Sequence, residues 1–359
     1  MMRVAIVHYW LLGMRGGEKV VEALCRMLPQ ADLFTLFYDP ERISALIRSR
    51  TVRTSFLNPA RRHYRSLLPL MPLALESFDL RGYDLVISSE SGPAKGVLVP
   101  STTRHICYCH TPMRYLWDLY PAYLHDLTAD RWKRAILAPV SNYLRLWDYA
   151  SAARVDDFIA NSENVRRRIW RAYRRESEVI FPPVPVDTFF FKPSEDYLLI
   201  VSELVAYKQI GYVVRYCAKN NLRLKIVGDG PEFRKLRSMA GPTIEFCGRV
   251  SDAELRDLYA SCRALVVPGE EDFGMATVEA LASGKPVVGL NRGGTPEIVG
   301  ANCGALYDEP TESSLHRALR ELDNANFLPR NLQLTASKFS ETEFTRRMEL
   351  VIESTSLAV

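Results

Sequence analysis

The sequence has no run long enough to cross a bilayer. The charge-free apolar stretch beside a basic flank, Ser66–Leu75, is about half a span and is broken by Pro69 and Pro72, which argues against a transmembrane helix. It has no Cys-x-x-Cys. The seven cysteines (25, 107, 109, 217, 247, 262, 303) are scattered, and the one close pair, Cys107-x-Cys109, fits neither a redox motif nor a zinc knuckle. An odd, dispersed set reads as reduced thiols of a cytoplasmic protein. No Asp-x-Asp occurs, so no divalent-metal requirement is expected and no metal ligands are assigned. No Gly-x-Gly-x-x-Gly follows the first strand-like run. The segment there is Gly13-Met14-Arg15-Gly16-Gly17-Glu18, which argues against a nicotinamide-dependent dehydrogenase. Solenoid-period repeats and low-complexity tracts are also missing. Met1–Val7 enters a strand-like run directly, so no leader peptide is expected.

What is present is an ordinary globular composition, 47% hydrophobic and 25% charged over 359 residues, a length that favours two domains. The net charge of +4 is unevenly spread: residues 1–187 carry +7 and the remainder −3, so the first half is the one suited to an acidic partner. Short apolar runs alternate with amphipathic helical patterns. Strands are expected at 3–8, 32–37, 84–88, 105–109, 157–160 and 179–181, then at 197–202, 222–227, 243–246, 264–267 and 286–289. Between them lie patterns such as Glu18–Leu28, with Val20, Val21, Leu24, Met27 and Leu28 on one face. This alternation implies α/β architecture with parallel sheets covered on both sides. It also suits a TIM barrel, but the pattern restarts after Phe181-Pro182-Pro183-Val184-Pro185-Val186-Asp187, where three prolines in four positions force an extended connector. Two open sheets therefore fit better, with domains 1–187 and 188–340. Residues 331–354 read as one or two terminal helices.

The most informative stretch is Ala264–Gly284, ALVVPGEEDFGMATVEALASG. A buried strand ends at Pro268-Gly269. Glu270, Glu271, Asp272 and Phe273 follow, and a helix starts near Gly274 and runs through Met275–Ala282. Free N–H groups and the macrodipole at such a helix start favour an anion, and Gly274 permits close approach. Glu271 in the loop and Glu279 in the helix can both border a ligand lying there and accept hydrogen bonds from vicinal hydroxyls. Asn291-Arg292-Gly293-Gly294-Thr295-Pro296-Glu297 repeats the same strand, glycine loop and helix start one unit later. Either glutamate alone would read as a solvated surface residue. The combination E-D-F-G-x-x-x-x-E, A-L-A-S-G-K-P-V-V and G-G-T-P-E-I-V is far more specific.

This pattern resembles the donor-site signature of retaining glycosyltransferases of the GT-B fold, family 4 (group 1). Other matching segments are Arg15-Gly16-Gly17-Glu18, Tyr108–Tyr115, Ala160-Asn161-Ser162-Glu163, Pro182-Pro183-Val184, Val227–Glu232 and Gly248-Arg249-Val250, so the resemblance runs from about residue 3 to about 308. The block around His110 is similar to bacterial mannosyltransferases of polysaccharide assembly. The resemblance implies two Rossmann-like domains facing across a cleft, with a C-terminal helix (about 341–359) returning to the N-terminal, acceptor-binding one. It implies that Glu271 contacts the donor sugar and Glu279 the ribose, that N–H groups of Gly274, Met275 and Ala276 after Phe273 hold the diphosphate, and that Gly16-Gly17 approach it from the other domain. Lys208 pairs with the phosphates, His110 faces the sugar, and the base lies near Arg249. His110, Glu271 and Lys208 are the implied catalytic set. One departure stands out: Glu203 occupies a position where most members carry arginine. A carboxylate cannot clamp a diphosphate, so Lys208 with the helix start suffices, or Arg249 or another arginine substitutes, or the site is degenerate. With no carboxylate placed as a nucleophile, retention would proceed by front-face substitution within an ion pair.

In the first half, PARRHYRSLLPLMPLALE (59–76) sets Arg61, Arg62 and Arg65 beside an apolar run, and Arg166–Arg168, Arg171, Arg174 and Arg175 lie on a second helical pattern. Basic and apolar residues together suit an anionic membrane surface and a lipid-pyrophosphate acceptor. RNA is disfavoured, because no RNA-module spacing of aromatic and basic residues occurs. The expectation is a hexosyltransferase, using GDP-mannose as donor and no cofactor. It would act on a lipid-linked or saccharide acceptor in cell-surface polysaccharide or lipopolysaccharide synthesis, peripherally at the inner face of the membrane. The alternatives are a UDP-sugar transferase, an epimerase or phosphorylase relative, or a non-catalytic partner subunit.

Overall fold

A computed structural model describes residues 2–121 and 131–354. The chain divides into two compact units. The first is 1–181, to which the chain returns at 351–359, and the second is 182–350. The terminal residues 355–359, part of the expected C-terminal helix, lie outside the described residues.

The first unit holds a seven-stranded sheet. In chain order its strands are β1 (Val4–His8), β2 (Asp32–Thr35), β3 (Val52–Thr54), β4 (Leu85–Glu90), β5 (Arg104–Cys109), β6 (Asp157–Ala160) and β7 (Glu178–Val179). Their spatial order is β3-β2-β1-β4-β5-β6-β7, every pair parallel. β1 and β4 are buried along their whole length, as strands covered by helices on both faces must be. The helix Gly16–Met27 packs through Val20, Val21, Leu24 and Cys25. The edge strand β3 was not legible in the sequence, because Val52-Arg53-Thr54 is short and two of its three residues are exposed.

The second unit holds six parallel strands: β8 (Leu198–Val201), β9 (Leu224–Val227), β10 (Ile244–Gly248), β11 (Ala264–Val267), β12 (Val287–Leu290) and β13 (Gly304–Tyr307). They are ordered β10-β9-β8-β11-β12-β13. β13 is the unexpected strand here. It pairs with β12 from Val287↔Gly304 to Leu290↔Tyr307. Helices Pro329–Ala336 and Glu341–Glu353 follow without a further strand.

Both sheets are doubly wound, and each reverses direction at a central pair, β1/β4 and β8/β11. In open α/β sheets the crevice outside the carboxyl ends of such a pair is where ligands bind. His8 and Glu90 end β1 and β4; Ser202–Lys208 and Pro268–Gly274 follow β8 and β11. Each unit therefore presents one candidate crevice.

Candidate active site

In the second unit the loop after β11 is held from two sides by other loops. Glu271 forms a parallel bridge with Gly293, and the Gly294 N–H donates to the Glu271 carbonyl at 2.9 Å. Gly293 has φ +70°, and a Cβ on it would overlap the Glu271 carbonyl oxygen. A Cβ on Gly294 would lie 2.5 Å from the carbonyl oxygen of Phe273, and one on Gly269 2.7 Å from the Cα of Lys208. The two glycines after β12 thus brace the Glu271 loop. Their own helix, Thr295–Ile298, is a single turn. Gly269 brings the Lys208 backbone against the same loop.

Lys208 and Glu271 meet directly, Nζ to Oε2 at 2.5 Å. Burial works against the ammonium, but Glu271, with Tyr207 and Asp272 adding, holds its pKa above the ordinary lysine value. The lysine is therefore charged at any working pH. Gly274, at φ +107°, caps the helix Met275–Ala282, whose first N–H groups have no carbonyl within the helix to pair with. Phe273 is buried and tilts against Phe339, with ring centroids 5.6 Å apart. Met275 and Ala276 are half-buried at the helix start. Glu279 is buried one turn further on, and its Oε2 accepts a hydrogen bond from the Tyr259 hydroxyl at 2.8 Å.

Glu203 ends the β8 crevice, half-buried, near Tyr207, whose pKa rises chiefly through burial with Glu203 among the contributing charges. Arg249 is exposed at the end of edge strand β10, with β9 between it and β8.

In the first unit, His8, Gly17, Ser89 and His110 converge. His8 Nδ1 donates to the Ser89 carbonyl at 2.9 Å, and its Nε2 lies 3.9 Å from Glu18 Oε1. The Ser89 hydroxyl hydrogen-bonds His110 Nε2 at 2.9 Å. Burial, with His8 adding, pushes the half-buried His110 down to about 3, so its ring is neutral at working pH. A Cβ on Gly17 would lie 3.4 Å from His8 Cε1 and 3.6 Å from His110 Nε2. The first turn of Gly16–Met27 thus lies against both imidazoles, at a distance that would put a Cβ in ordinary contact with them. Arg15 N–H donates to Glu18 Oε2 at 3.0 Å and closes that turn.

The basic residues of this unit divide by role. Arg62 and Arg65 are exposed and Arg61 is half-buried, and Leu70 and Leu73 nearby are exposed as well. On the helix Glu163–Tyr173, Arg166, Arg167 and Arg171 face solvent. Arg168, however, donates to Thr111 Oγ1 at 3.1 Å, and Arg175 to the carbonyls of Ala152 and Asp156. Those two are structural, and Arg168 anchors the segment after His110. No helix among the described residues is long and apolar enough to cross a membrane.

Sequence reasoning missed Tyr259, the brace made by Gly269, Gly293 and Gly294, and the His8–Ser89 support of His110. Tyr259 sits in an ordinary helix with no motif around it, and the other contacts depend on loops distant in sequence.

Comparison with known proteins agrees with this geometry. A family model described as glycosyl transferases group 1 matches residues 188–338, and one described as glycosyltransferase family 4 matches residues 14–188. The chain belongs to the group 1, family 4 glycosyltransferases, with the GT-B architecture of two parallel-sheet Rossmann-like units. It is 28% identical over 193 residues to an uncharacterized glycosyltransferase of Methanocaldococcus jannaschii, covering 52% of this chain and 55% of that one. It is 39% identical over 111 residues to a GDP-mannose-dependent alpha-mannosyltransferase of Mycolicibacterium smegmatis, covering 30% of this chain and 29% of that one. The matches thus span about half or less of these relatives' lengths. Among solved structures, the Anabaena protein HepE, in complex with UDP and glucose, superposes with a TM-score of 0.70 over 99% of this chain and 100% of its own, at 15% identity. That likeness concerns the fold.

Proposed function

We propose that this protein is a retaining hexosyltransferase that takes mannose from GDP-mannose in its second unit and transfers it to a lipid-linked or saccharide acceptor held by its first. The observation that carries the reading is the Lys208–Glu271 pair beside the N-terminus of Met275–Ala282, with Glu279 in the same helix. An ammonium and free N–H groups suit a diphosphate that gains charge as it leaves, and two carboxylates suit hydroxyls of the sugar and the ribose. Gly274, Met275 and Ala276 would hold the diphosphate, and Phe273 backs the loop. Arg249 and the backbone around it would lie near the base. In the first unit, neutral His110 beside Gly16 and Gly17 would serve as a hydrogen-bonding group, not as an acid. The acceptor hydroxyl attacks the anomeric carbon as the bond to the diphosphate breaks, and the departing phosphate takes the proton. No divalent metal enters this reading, since the charged partners of the leaving group are protein groups. GDP-mannose is favoured over a UDP-sugar by the 39% identity to the GDP-mannose-dependent enzyme. Glu203 favours one second reading, a non-catalytic partner subunit with a weakened phosphate site.

Calorimetric titration in EDTA with GDP, UDP, ADP and NAD separates these. One nucleoside diphosphate is expected to bind near micromolar, about −8 kcal/mol, with GDP the first candidate. Binding of none of the four would replace this reading with the partner-subunit one.

The same reading places the protein peripherally at the inner face of a membrane in surface-polysaccharide or lipopolysaccharide synthesis, with Arg61, Arg62 and Arg65 against anionic headgroups and exposed Leu70 and Leu73 beside them. In flotation assays it is expected to bind vesicles containing phosphatidylglycerol but not pure phosphatidylcholine, with binding reduced severalfold in the triple variant Arg61→Ser/Arg62→Ser/Arg65→Ser. Equal binding to both vesicle types would remove the membrane from the reading.

A further inference from the structure

We propose that Tyr259 is a positioning residue for Glu279 and thereby sets how tightly the ribose of the donor nucleotide is held. This rests on the reading that Glu279 meets the ribose. Tyr259 lies on the helix Asp252–Ser261 and is fully buried. Its hydroxyl donates to Glu279 Oε2 at 2.8 Å. Burial first, then the adjacent Glu279 carboxylate, raises the phenol far above its ordinary pKa, so it remains a donor at every working pH.

The donor cannot drift. The Tyr259 ring packs edge-on to Phe189, with centroids 5.8 Å apart at 78°. Its helix starts on a reciprocal cap, in which Glu254 N–H donates to Ser251 Oγ and Ser251 N–H donates to Glu254 Oε2. One turn of backbone is tied down again where the Tyr197 hydroxyl donates to the Leu258 carbonyl at 2.7 Å. A glutamate has three side-chain torsions to order before it can hold a diol. A fixed donor on one oxygen orders them before the nucleotide arrives, which lowers the entropy cost of binding. Phenylalanine would fill the same apolar space against Phe189. What the tyrosine adds is a hydroxyl that reaches Glu279.

The test compares Tyr259→Phe with the native protein, using GDP and 2′,3′-dideoxy-GDP in calorimetry and GDP-mannose in steady-state transfer. Ordering one side chain corresponds to about a three- to tenfold effect. The variant is expected to bind GDP that much more weakly and to bind the dideoxy nucleotide unchanged, with KM for the donor raised and kcat within about twofold. A tyrosine that merely joins two helices would weaken both nucleotides equally or neither, and either result overturns the proposal. Glu279→Gln serves as the reference. If it fails to narrow the difference between GDP and the dideoxy analogue, the ribose reading of Glu279 falls. If it narrows the difference and Tyr259→Phe does not, the positioning role alone falls. In the double variant Tyr259→Phe/Glu279→Gln the hydroxyl has no carboxylate left to orient, so GDP affinity should equal that of Glu279→Gln. A further loss beyond that variant counts against the proposal.

Discussion

Glu271→Gln is expected to lower kcat/KM for sugar transfer by at least tenfold, about 1.4 kcal/mol or more, while the nucleoside diphosphate alone binds as tightly as before or more tightly. The divergence follows from the 2.5 Å contact between Lys208 and Glu271. Without ligand, each is the other's counter-ion. An arriving diphosphate must share Lys208 with the carboxylate, and two anions around one ammonium repel each other in a half-buried site. Glutamine keeps the shape and one acceptor oxygen but removes that repulsion, so the free diphosphate gains or loses nothing. The sugar loses a charged acceptor for its hydroxyls, and turnover falls. Lys208→Ala should behave differently, losing at least tenfold in diphosphate affinity and in turnover together. Calorimetry and initial rates on both variants decide the matter. Parallel losses in diphosphate affinity and turnover in Glu271→Gln would make the pair a brace between the β8 and β11 loops and leave the division of roles without support.

Glu203 belongs to the same electrostatics. It adds negative charge at the end of β8, beside Tyr207 and close in sequence to the lysine that must attract a diphosphate. The phosphate site therefore depends on Lys208 and the helix start more than it would with an arginine at 203. This makes Lys208→Ala the more damaging of the two substitutions for affinity.

The parts of this protein written in local sequence were readable without coordinates. β/α alternation follows from hydrophobic periodicity, and the strands at 157–160 and 264–267 stand where the pattern put them. The strand, loop and helix around Glu271–Glu279 carry local signals as well: an apolar run, a glycine at positive φ and a helix N-terminus. β3 failed because an edge strand has little to bury, and β13 because Gly304-Ala305-Leu306-Tyr307 is too short to show a period. The brace of Gly293 against Glu271 spans loops twenty-two residues apart, and its glycines have the same local signature as a ligand-binding loop. Tyr259 carries no signal until its helix is packed against Met275–Ala282. Lys95 is the extreme case, since nothing around it in sequence marks a lysine that will be wholly buried.

Lys95→Met is expected to cost the first unit about 3–5 kcal/mol at pH 8, with much of the loss recovered at pH 5. Lys95 is 0% exposed between Glu90 and Asp148, both also 0% exposed. Its Nζ pairs with Asp148 and lies 3.4 Å from Glu90 Oε1 and 4.6 Å from the centre of the Tyr173 ring. Asp148 also accepts from Trp117 Nε1 at 2.7 Å and from the Tyr173 hydroxyl at 2.9 Å. Burial opposes the ammonium, but Asp148 and Glu90 hold its pKa above the ordinary value. Methionine fills the volume and leaves two buried carboxylates with no cation. Burial already pushes Glu90 up to about 7 with Lys95 opposing, and without the lysine it rises further. A carboxylate raised in the folded state contributes stability that is present below its unfolded pKa and lost as pH rises through the folded one. The deficit of Lys95→Met must therefore grow from pH 5 to pH 8, and Lys95→Met/Asp148→Asn should recover part of it by removing one of the charges. Urea unfolding at both pH values measures this directly. A loss below about 1 kcal/mol at pH 8, or one equal at both pH values, would show the triad to be electrostatically idle. The consequence for the site runs through Glu90, whose carbonyl accepts the His110 N–H at 2.6 Å, and through Trp117, which ties the segment after His110 to Asp148. A weakened triad loosens the strand end that presents His110, so activity in Lys95→Met should fall and return with the double variant in the same order as stability.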